Sequence, residues 1–320
     1  MLDVIAITGP IGIAILIGFA TTRAGLFERA DMRVLGTFVF NLALPALLFN
    51  ALSQRRLGEI LNGSYLLAYL AGSLAVLGIG YFACRRGGRL GPTASAMCAM
   101  GMTCANSGFV GYPILLLTIA PVAGVVLALN MIVENLVLIP LLLALAERGK
   151  GASAHWLQET GKSIARLAAN PLILAMAAGI AVSAMGWRLP APVARVVDLF
   201  ALSSSAVSLF AIGGMLVGLP LRGTGAAVVA IAAGKLLLHP LAVLLAVHAL
   251  PYLGMPALEP SLRWAAVLSA AVPMMGIYPI IAQRYGQEDV GAAAMLVTTV
   301  ASFFTLSALL WMMAARIGVP

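Results

Sequence analysis

The chain has 320 residues, of which 62% are hydrophobic and 9% charged, and a formal net charge of +8. A soluble globular domain carries far more charge, so this composition excludes that class and points to a polytopic helical membrane protein. Apolar runs of about twenty residues, in place of alternation in segments of about ten, exclude an outer-membrane barrel, and basic residues scattered without interleaved aromatics speak against nucleic acid as a partner.

The chain opens on MLDVIAITGPIGIAILIGFATTR, with Asp3 where a signal peptide would be basic and an apolar stretch longer than a typical signal core. This is read as a first membrane helix that is retained. Ten spans are predicted, over 3–22, 34–53, 63–83, 93–119, 121–146, 168–186, 193–218, 226–249, 262–283 and 289–315. The longest polar connection, ERGKGASAHWLQETGKSIAR at 147–166, has five spans on each side.

With the N-terminus placed outside, twelve basic residues face the cytoplasm: Arg23, Arg29, Arg33, Arg85, Arg86, Arg89, Arg148, Lys150, Lys162, Arg166, Arg222 and Arg284. Six fall opposite: Arg55, Arg56, Arg188, Arg195, Arg263 and Arg316. The bias predicts a multi-pass protein of the inner (cell) membrane with both termini outside, in the periplasm. Lys235 is left over, inside span 8.

An odd number of spans per half makes the halves enter the membrane from opposite sides. Homologous halves would then be inverted repeats: residues 1–146, a central cytoplasmic loop at 147–167, and residues 168–320. Two echoes support homology. GYPI at 111–114 in span 4 returns as IYPI at 277–280 in span 9, and LAGSLAVL at 70–77 in span 3 returns as AAGKLLLHPL at 232–241 in span 8.

Spans 4 and 9 also carry the densest helix breakers. Span 4 holds NSGFVGYPI, with Asn106, Ser107, Gly108, Gly111, Tyr112 and Pro113; span 9 holds AAVPMMGIYPII, with Pro273, Met274, Met275, Gly276, Tyr278 and Pro279. An unpaired backbone group in hydrocarbon costs several kcal/mol, so a break survives only where it is buried in protein or lines a cavity. Two broken helices related by a pseudo-two-fold bring half-helix ends together near the midplane. Their N–H groups and positive dipole ends make an anion site without a fixed cation. Asn106 and Ser107 would add side-chain donors, and Met274 and Met275 would touch the apolar body of a substrate. The bland alternative is a pair of proline kinks satisfied by their neighbours.

Charged and polar groups inside other spans complete the candidate set. Glu134 in span 5 has Asn130 one turn away on its face and Asn135 beside it. A carboxyl at this depth reads as a proton carrier or as a structural partner of Lys235 or of backbone. Lys235 and His239 share a face of span 8 just before Pro240, where Lys235 would pair with Glu134 or add positive potential to an anion path. His248 reads as interfacial, and Asn41, Pro45 and Asn50 of span 2 as helix-packing or dimer-contact residues. Cys84, Cys98 and Cys104 lack metal-type spacing and read as packing residues, so no metal or cofactor is expected. The sequence has neither HExxH nor GxxxxGK[ST]. It is therefore read as no enzyme, and as a carrier driven by the membrane potential or a proton gradient.

Three motifs together, NLALPALLFNAL at 41–52, NSGFVGYPI, and PMMGIYPIIAQRYG followed by MLVTTVASFFTL, resemble the auxin efflux carrier family in its compact bacterial form, over essentially the whole chain. The resemblance implies ten transmembrane helices as two inverted five-helix repeats, with helices 4 and 9 broken and crossing, a scaffold built from other helices, and a homodimer. It further implies elevator-type transport of small organic carboxylates, auxin-like monocarboxylates or malate and malonate-type acids. In plant members an Asn at the helix 4 crossover contacts the substrate carboxylate, and Asn106 stands at that motif position; Pro273 matches the helix 9 crossover proline. Several relatives carry a basic residue before proline in helix 8, as here. The chain departs from plant members in having Ala105 where they carry proline, and in lacking their long central loop. The alternative is a sodium-coupled organic anion symporter of the bile-acid symporter type, in which Asn106, Gln283 and broken carbonyls would ligate sodium.

Overall fold

A computed structural model describes residues 2–55, 57–149, 169–218 and 225–317. Most of the central loop, with Lys150, His155, Lys162 and Arg166, lies outside the described residues, as do Arg56 and Arg222. The described residues are helical apart from connections and one isolated strand bridge. In chain order the main helices are α1 (Leu2–Arg23), α2 (Arg29–Ser53), α3 (Gly63–Arg86), α4 (Pro92–Thr103), α5 (Ser107–Thr118), α6 (Ala120–Arg148), α7 (Pro171–Met185), α8 (Ala191–Met215), α9 (Ala226–Leu253), α10 (Pro260–Ala271), α11 (Tyr278–Arg284) and α12 (Glu288–Ile317). Among the described residues, α2, α3, α6, α8, α9 and α12 are each long and apolar enough to cross a bilayer unaided.

Four of these helices contain a wide turn whose cause is legible in the sequence. Residues Val39–Ala43, Ser107–Gly111, Val133–Leu138 and Gly234–Leu238 are π-helical. Each is followed by a regular turn with proline at its second position: Pro45, Pro113, Pro140 and Pro240. Proline lacks an N–H and crowds the carbonyl four residues back, so widening the preceding turn to an i→i+5 bond accommodates it without ending the helix. Two of the wide turns carry Glu134 and Lys235.

Two helix starts are capped by asparagine. Asn62 precedes α3 and its side-chain oxygen accepts the Tyr65 N–H at 2.9 Å; Asn170 does the same for Leu172 at the start of α7, which ends on Gly186 at φ +63°. Replacing Asn62 with alanine should cost about 1 kcal/mol, read as a small drop in the thermal unfolding temperature of the purified protein.

The helices pack in two groups. In one, α8 lies against α1 and α2, and α7 against α2. In the other, α3 contacts α4 and α9, α4 contacts the second half of α6, α10 contacts α9, and α11 contacts α12. Lipid offers no hydrophobic drive between helices, so close approach rests on small residues. A Cβ on Gly213 of α8 would overlap the Ile15 carbonyl of α1, and one on Gly18 of α1 would overlap the Phe210 carbonyl of α8. Contacts between the groups involve α5, which touches α8 and α1, and α6, which touches α2.

Candidate functional site

Both breaker-rich stretches are interrupted helices. Residue Thr103 ends α4, Cys104 is extended (φ −77°, ψ 118°), and α5 begins at Ser107; likewise Ala271 ends α10, Val272 is extended (φ −67°, ψ 158°), and α11 begins at Tyr278. The two gaps meet. Ala105 and Met274 form an antiparallel bridge, in which the Asn106 N–H donates to the Pro273 carbonyl at 2.9 Å and the Met275 N–H to the Cys104 carbonyl at 3.2 Å. Each gap thereby supplies the backbone partners that the other lost on leaving the helix, in surroundings where neither has water to turn to.

Resident side chains occupy two of the helix ends around the bridge. At the N-terminal end of α5, Glu134 of α6 accepts from the Ser107 hydroxyl at 2.8 Å, the Tyr69 hydroxyl at 3.1 Å and, at 3.4 Å, the Ala105 N–H. A carboxylate there meets the positive end of the helix dipole. Thus the end expected to receive a ligand anion holds an acid of the protein's own.

At the C-terminal end of α10, Lys235 of α9 donates to the Ala270 carbonyl at 2.9 Å and to His239 Nδ1 at 2.9 Å. An ammonium can only donate, so Nδ1 accepts, the ring proton sits on Nε2, and Nε2–H donates to the Ser73 hydroxyl oxygen at 2.9 Å. Glu134 and Lys235 each take their hydrogen bonds elsewhere, and no ion pair joins them directly among the described residues. The Tyr69 ring lies between the two systems, 5.8 Å from His239 and stacked 6.1 Å from Tyr65.

The remaining candidates fall at graded distance from the bridge. Asn106 is 6% exposed, its side chain makes no hydrogen bond, and its Nδ2 lies 3.8 Å from where a Cβ on Gly276 would stand. Asn130 accepts from Tyr65 at 2.9 Å, while its own Nδ2 is buried without an acceptor. The buried, unpaired Nδ2 of Asn130 is unusual, because such groups are normally paired. Met274 and Met275 are buried beside them; Pro273 gives its carbonyl to the bridge and lines a small apolar cavity of about 40 Å³ with Val110 and Phe303. Gly108 lets Leu44 of α2 close in, since a Cβ there would come within 2.8 Å of its Cδ1. Pro113 is buried in the first turn after the wide turn. Tyr278 is fully buried and its hydroxyl is committed to the Met97 carbonyl of α4 at 3.0 Å, which ties α11 to α4.

Tyr112 is half-buried and faces a larger cavity of about 520 Å³ between α2 and α8 on one side and α5 and α6 on the other. Polar groups cluster at its mouth: Asn50 donates to Asp198 at 2.7 Å and accepts from Gln54, and Arg55 donates to the Pro121 carbonyl. Asn41, by contrast, bonds back to Thr37 within its own helix, and His248 is exposed and bonds to the Leu244 carbonyl. All three cysteines are free and buried.

Sequence reasoning missed Tyr65, Tyr69 and Ser73, which supply one wall of this buried polar system. Their signal was available: they stand four residues apart along one face of an otherwise apolar span, as Asn130 and Glu134 do on α6 and Lys235 and His239 on α9.

Comparison with known proteins agrees with a transporter over the full length. The family described as "Membrane transport protein" matches residues 5–312. The chain is 30% identical to the "Putative malonate transporter" of Rhizobium meliloti (strain 1021) over 309 residues, 93% of this chain and 92% of that protein. It is 26% identical to the "Uncharacterized transporter YfdV" of Escherichia coli (strain K12) over 312 residues, 96% of each.

Proposed function

The chain belongs to the membrane transport protein family, which is that of the auxin efflux carriers, and from this membership we propose that it is a secondary carrier of small organic carboxylates of the malonate type. The substrate sits beside the bridge between the two interrupted helices, with Asn106 donating to a carboxylate oxygen and Asn130 on the far side of Glu134. The observation that carries this reading is Asn106: a residue only 6% exposed whose side chain makes no hydrogen bond among the described residues, at the bridge where two interrupted helices meet. Met274 and Met275 supply apolar contact, while Ser107 and Tyr278 act through the framework they hold.

In the same reading the fold is ten transmembrane helices in two inverted five-helix repeats, residues 1–146 and 168–320, with both termini outside. Support comes from the matching build of the interrupted segments: each is a helix, an extended residue and a gap that enters the bridge, followed by Tyr-Pro, inside α5 at 112–113 and at the start of α11 at 278–279. The interrupted helices cross at the bridge. Alternating access then moves the group containing α3–α6 and α9–α12 against the group of α1, α2, α7 and α8. The cavity between the groups, with Tyr112 on its wall, is the approach from one side.

Counterflow tests the reading. Proteoliposomes preloaded with unlabelled malonate should accumulate radiolabelled malonate faster than protein-free vesicles, and excess malate or succinate should rank as weaker or stronger competitors than monocarboxylates. Absence of counterflow for every organic acid tried, with correctly inserted protein, would overturn it.

A further inference from the structure

We propose that Ser208 and Ser205 of α8 serve in turn as hydrogen-bond donors to the Phe109 carbonyl of α5, as the two helix groups slide past each other. The inference rests on the alternating-access reading and deepens it by naming two positioning residues on the sliding surface.

The carbonyl of Phe109 lacks its regular helical donor. That donor would be the N–H of residue 113, a proline, while the N–H groups of Gly111 and Tyr112 reach five residues back to Asn106 and Ser107. Its partner comes instead from the other group. The Ser208 hydroxyl donates to it at 3.1 Å, and Ser208 is 0% exposed. In hydrocarbon a carbonyl needs a donor wherever it comes to rest, because no water stands in. Movement of α5 along α8 takes Phe109 away from Ser208, so a second resting place requires a second donor.

Four serines fall within this stretch of α8, and they are not equivalent. Ser203 donates to the Phe200 carbonyl at 2.7 Å and Ser204 to the Ala201 carbonyl at 2.7 Å. The Ser205 hydroxyl makes no hydrogen bond among the described residues. Ser205 stands three residues before Ser208 on the same face, and it lines the cavity of about 520 Å³ together with Tyr112, three residues after Phe109. An uncommitted donor therefore borders open space next to the donor now in use. Three residues of helix rise about 4.5 Å, which sets the length of the step.

Ser208 is also placed to release its acceptor. A hydroxyl has one proton, and that of Ser208 has a second acceptor in the Ser205 carbonyl at 3.0 Å. When Phe109 leaves, the proton keeps a partner within α8.

Spin labels on Trp187→Cys and Tyr252→Cys, with the three buried native cysteines replaced by alanine, report the sliding. Both positions are exposed; Trp187 follows α7 in one group and Tyr252 lies at the end of α9 in the other. Double electron–electron resonance in lipid, with and without malonate, should show two distances, one of them that of this structure. Ser208→Ala should shift the ratio of the two populations about three- to tenfold away from the distance of this structure, and Ser205→Ala should shift it toward that distance by a similar factor. The double alanine variant should return close to the wild-type ratio, as should Ser208→Thr and Ser205→Thr, which keep the hydroxyl.

Shifts of the same sign in the two alanine variants, or no shift in either, would overturn the proposal, and so would a single wild-type distance under both conditions. Ser205 is half-buried and its hydroxyl bonds to nothing here, so Ser205→Ala should fold; if Ser208→Ala does not, the shift in Ser205→Ala alone decides. If wild type exchanges no organic acid in proteoliposomes, the carrier reading falls, while the populations still judge the two serines.

Discussion

Asn106→Ala should lower malonate uptake by roughly ten- to a hundredfold while leaving the protein folded. A hydrogen bond to a charged group contributes about 1.5–3 kcal/mol, and each 1.4 kcal/mol is tenfold in affinity. The fold should survive because the Asn106 side chain makes no hydrogen bond within the protein, and its structural contribution, the N–H to Pro273, belongs to the backbone. Asn106→Asp is the sharper variant, since it sets a like charge against the carboxylate at nearly unchanged volume. Binding of radiolabelled malonate to purified protein, alongside its unfolding temperature, separates the two effects. Wild-type affinity in both variants would move the substrate away from the bridge.

Gly213→Leu should prevent α1 and α8 from docking and remove most folded protein. Any Cβ at this position overlaps the Ile15 backbone, and backbone cannot swing aside as a flexible side chain can. Overpacking costs about 1–3 kcal/mol where side chains give way, and more where they cannot. Gly18→Leu should act alike through Phe210, because the two glycines face each other across one contact. Gly78→Leu is the control: it is also inside a helix, but a Cβ there meets nothing within 4 Å. Size-exclusion profiles and unfolding temperatures of the three purified variants check the ranking, which fails if Gly213→Leu behaves like Gly78→Leu.

Much of the helical organisation was legible because hydrocarbon demands long apolar runs, and the helices start and stop within a few residues of the expected spans. The interruption of span 4 was legible as a region but misplaced in detail. Its signal was the cluster Asn106, Ser107, Gly108, Gly111 and Pro113, of which Asn106 stands in the gap formed with Cys104 and Ala105, while the others sit in the wide turn and regular helix that follow. Pro113 follows a wide turn that accommodates it inside α5, and Pro279 sits in the first turn of α11, where proline is compatible with the helix, so neither marks a break. Pro273, by contrast, does stand in a gap.

The site was legible only where residue type was exceptional for its depth. Glu134, Lys235 and Asn106 stand out in an apolar span, whereas Tyr65, Tyr69 and Ser73 pass as ordinary packing until neighbouring helices bring Glu134 and His239 against them. Composition likewise could not show that Glu134 and Lys235 would each seek a helix end in preference to each other. That choice depends on dipoles that exist only once the helices are interrupted.

The bridge between Ala105 and Met274 also fixes a register. Successive residues of an extended segment point their amides to opposite sides, and here Asn106 turns inward to Pro273 while Ala105 turns outward to Glu134. Deleting a single residue from 104–106 would exchange these roles at a stroke, leaving the acid without its amide and the proline carbonyl without its donor. Length within this short stretch is therefore constrained more tightly than side-chain identity, and natural variation there should run to substitutions and avoid insertions or deletions.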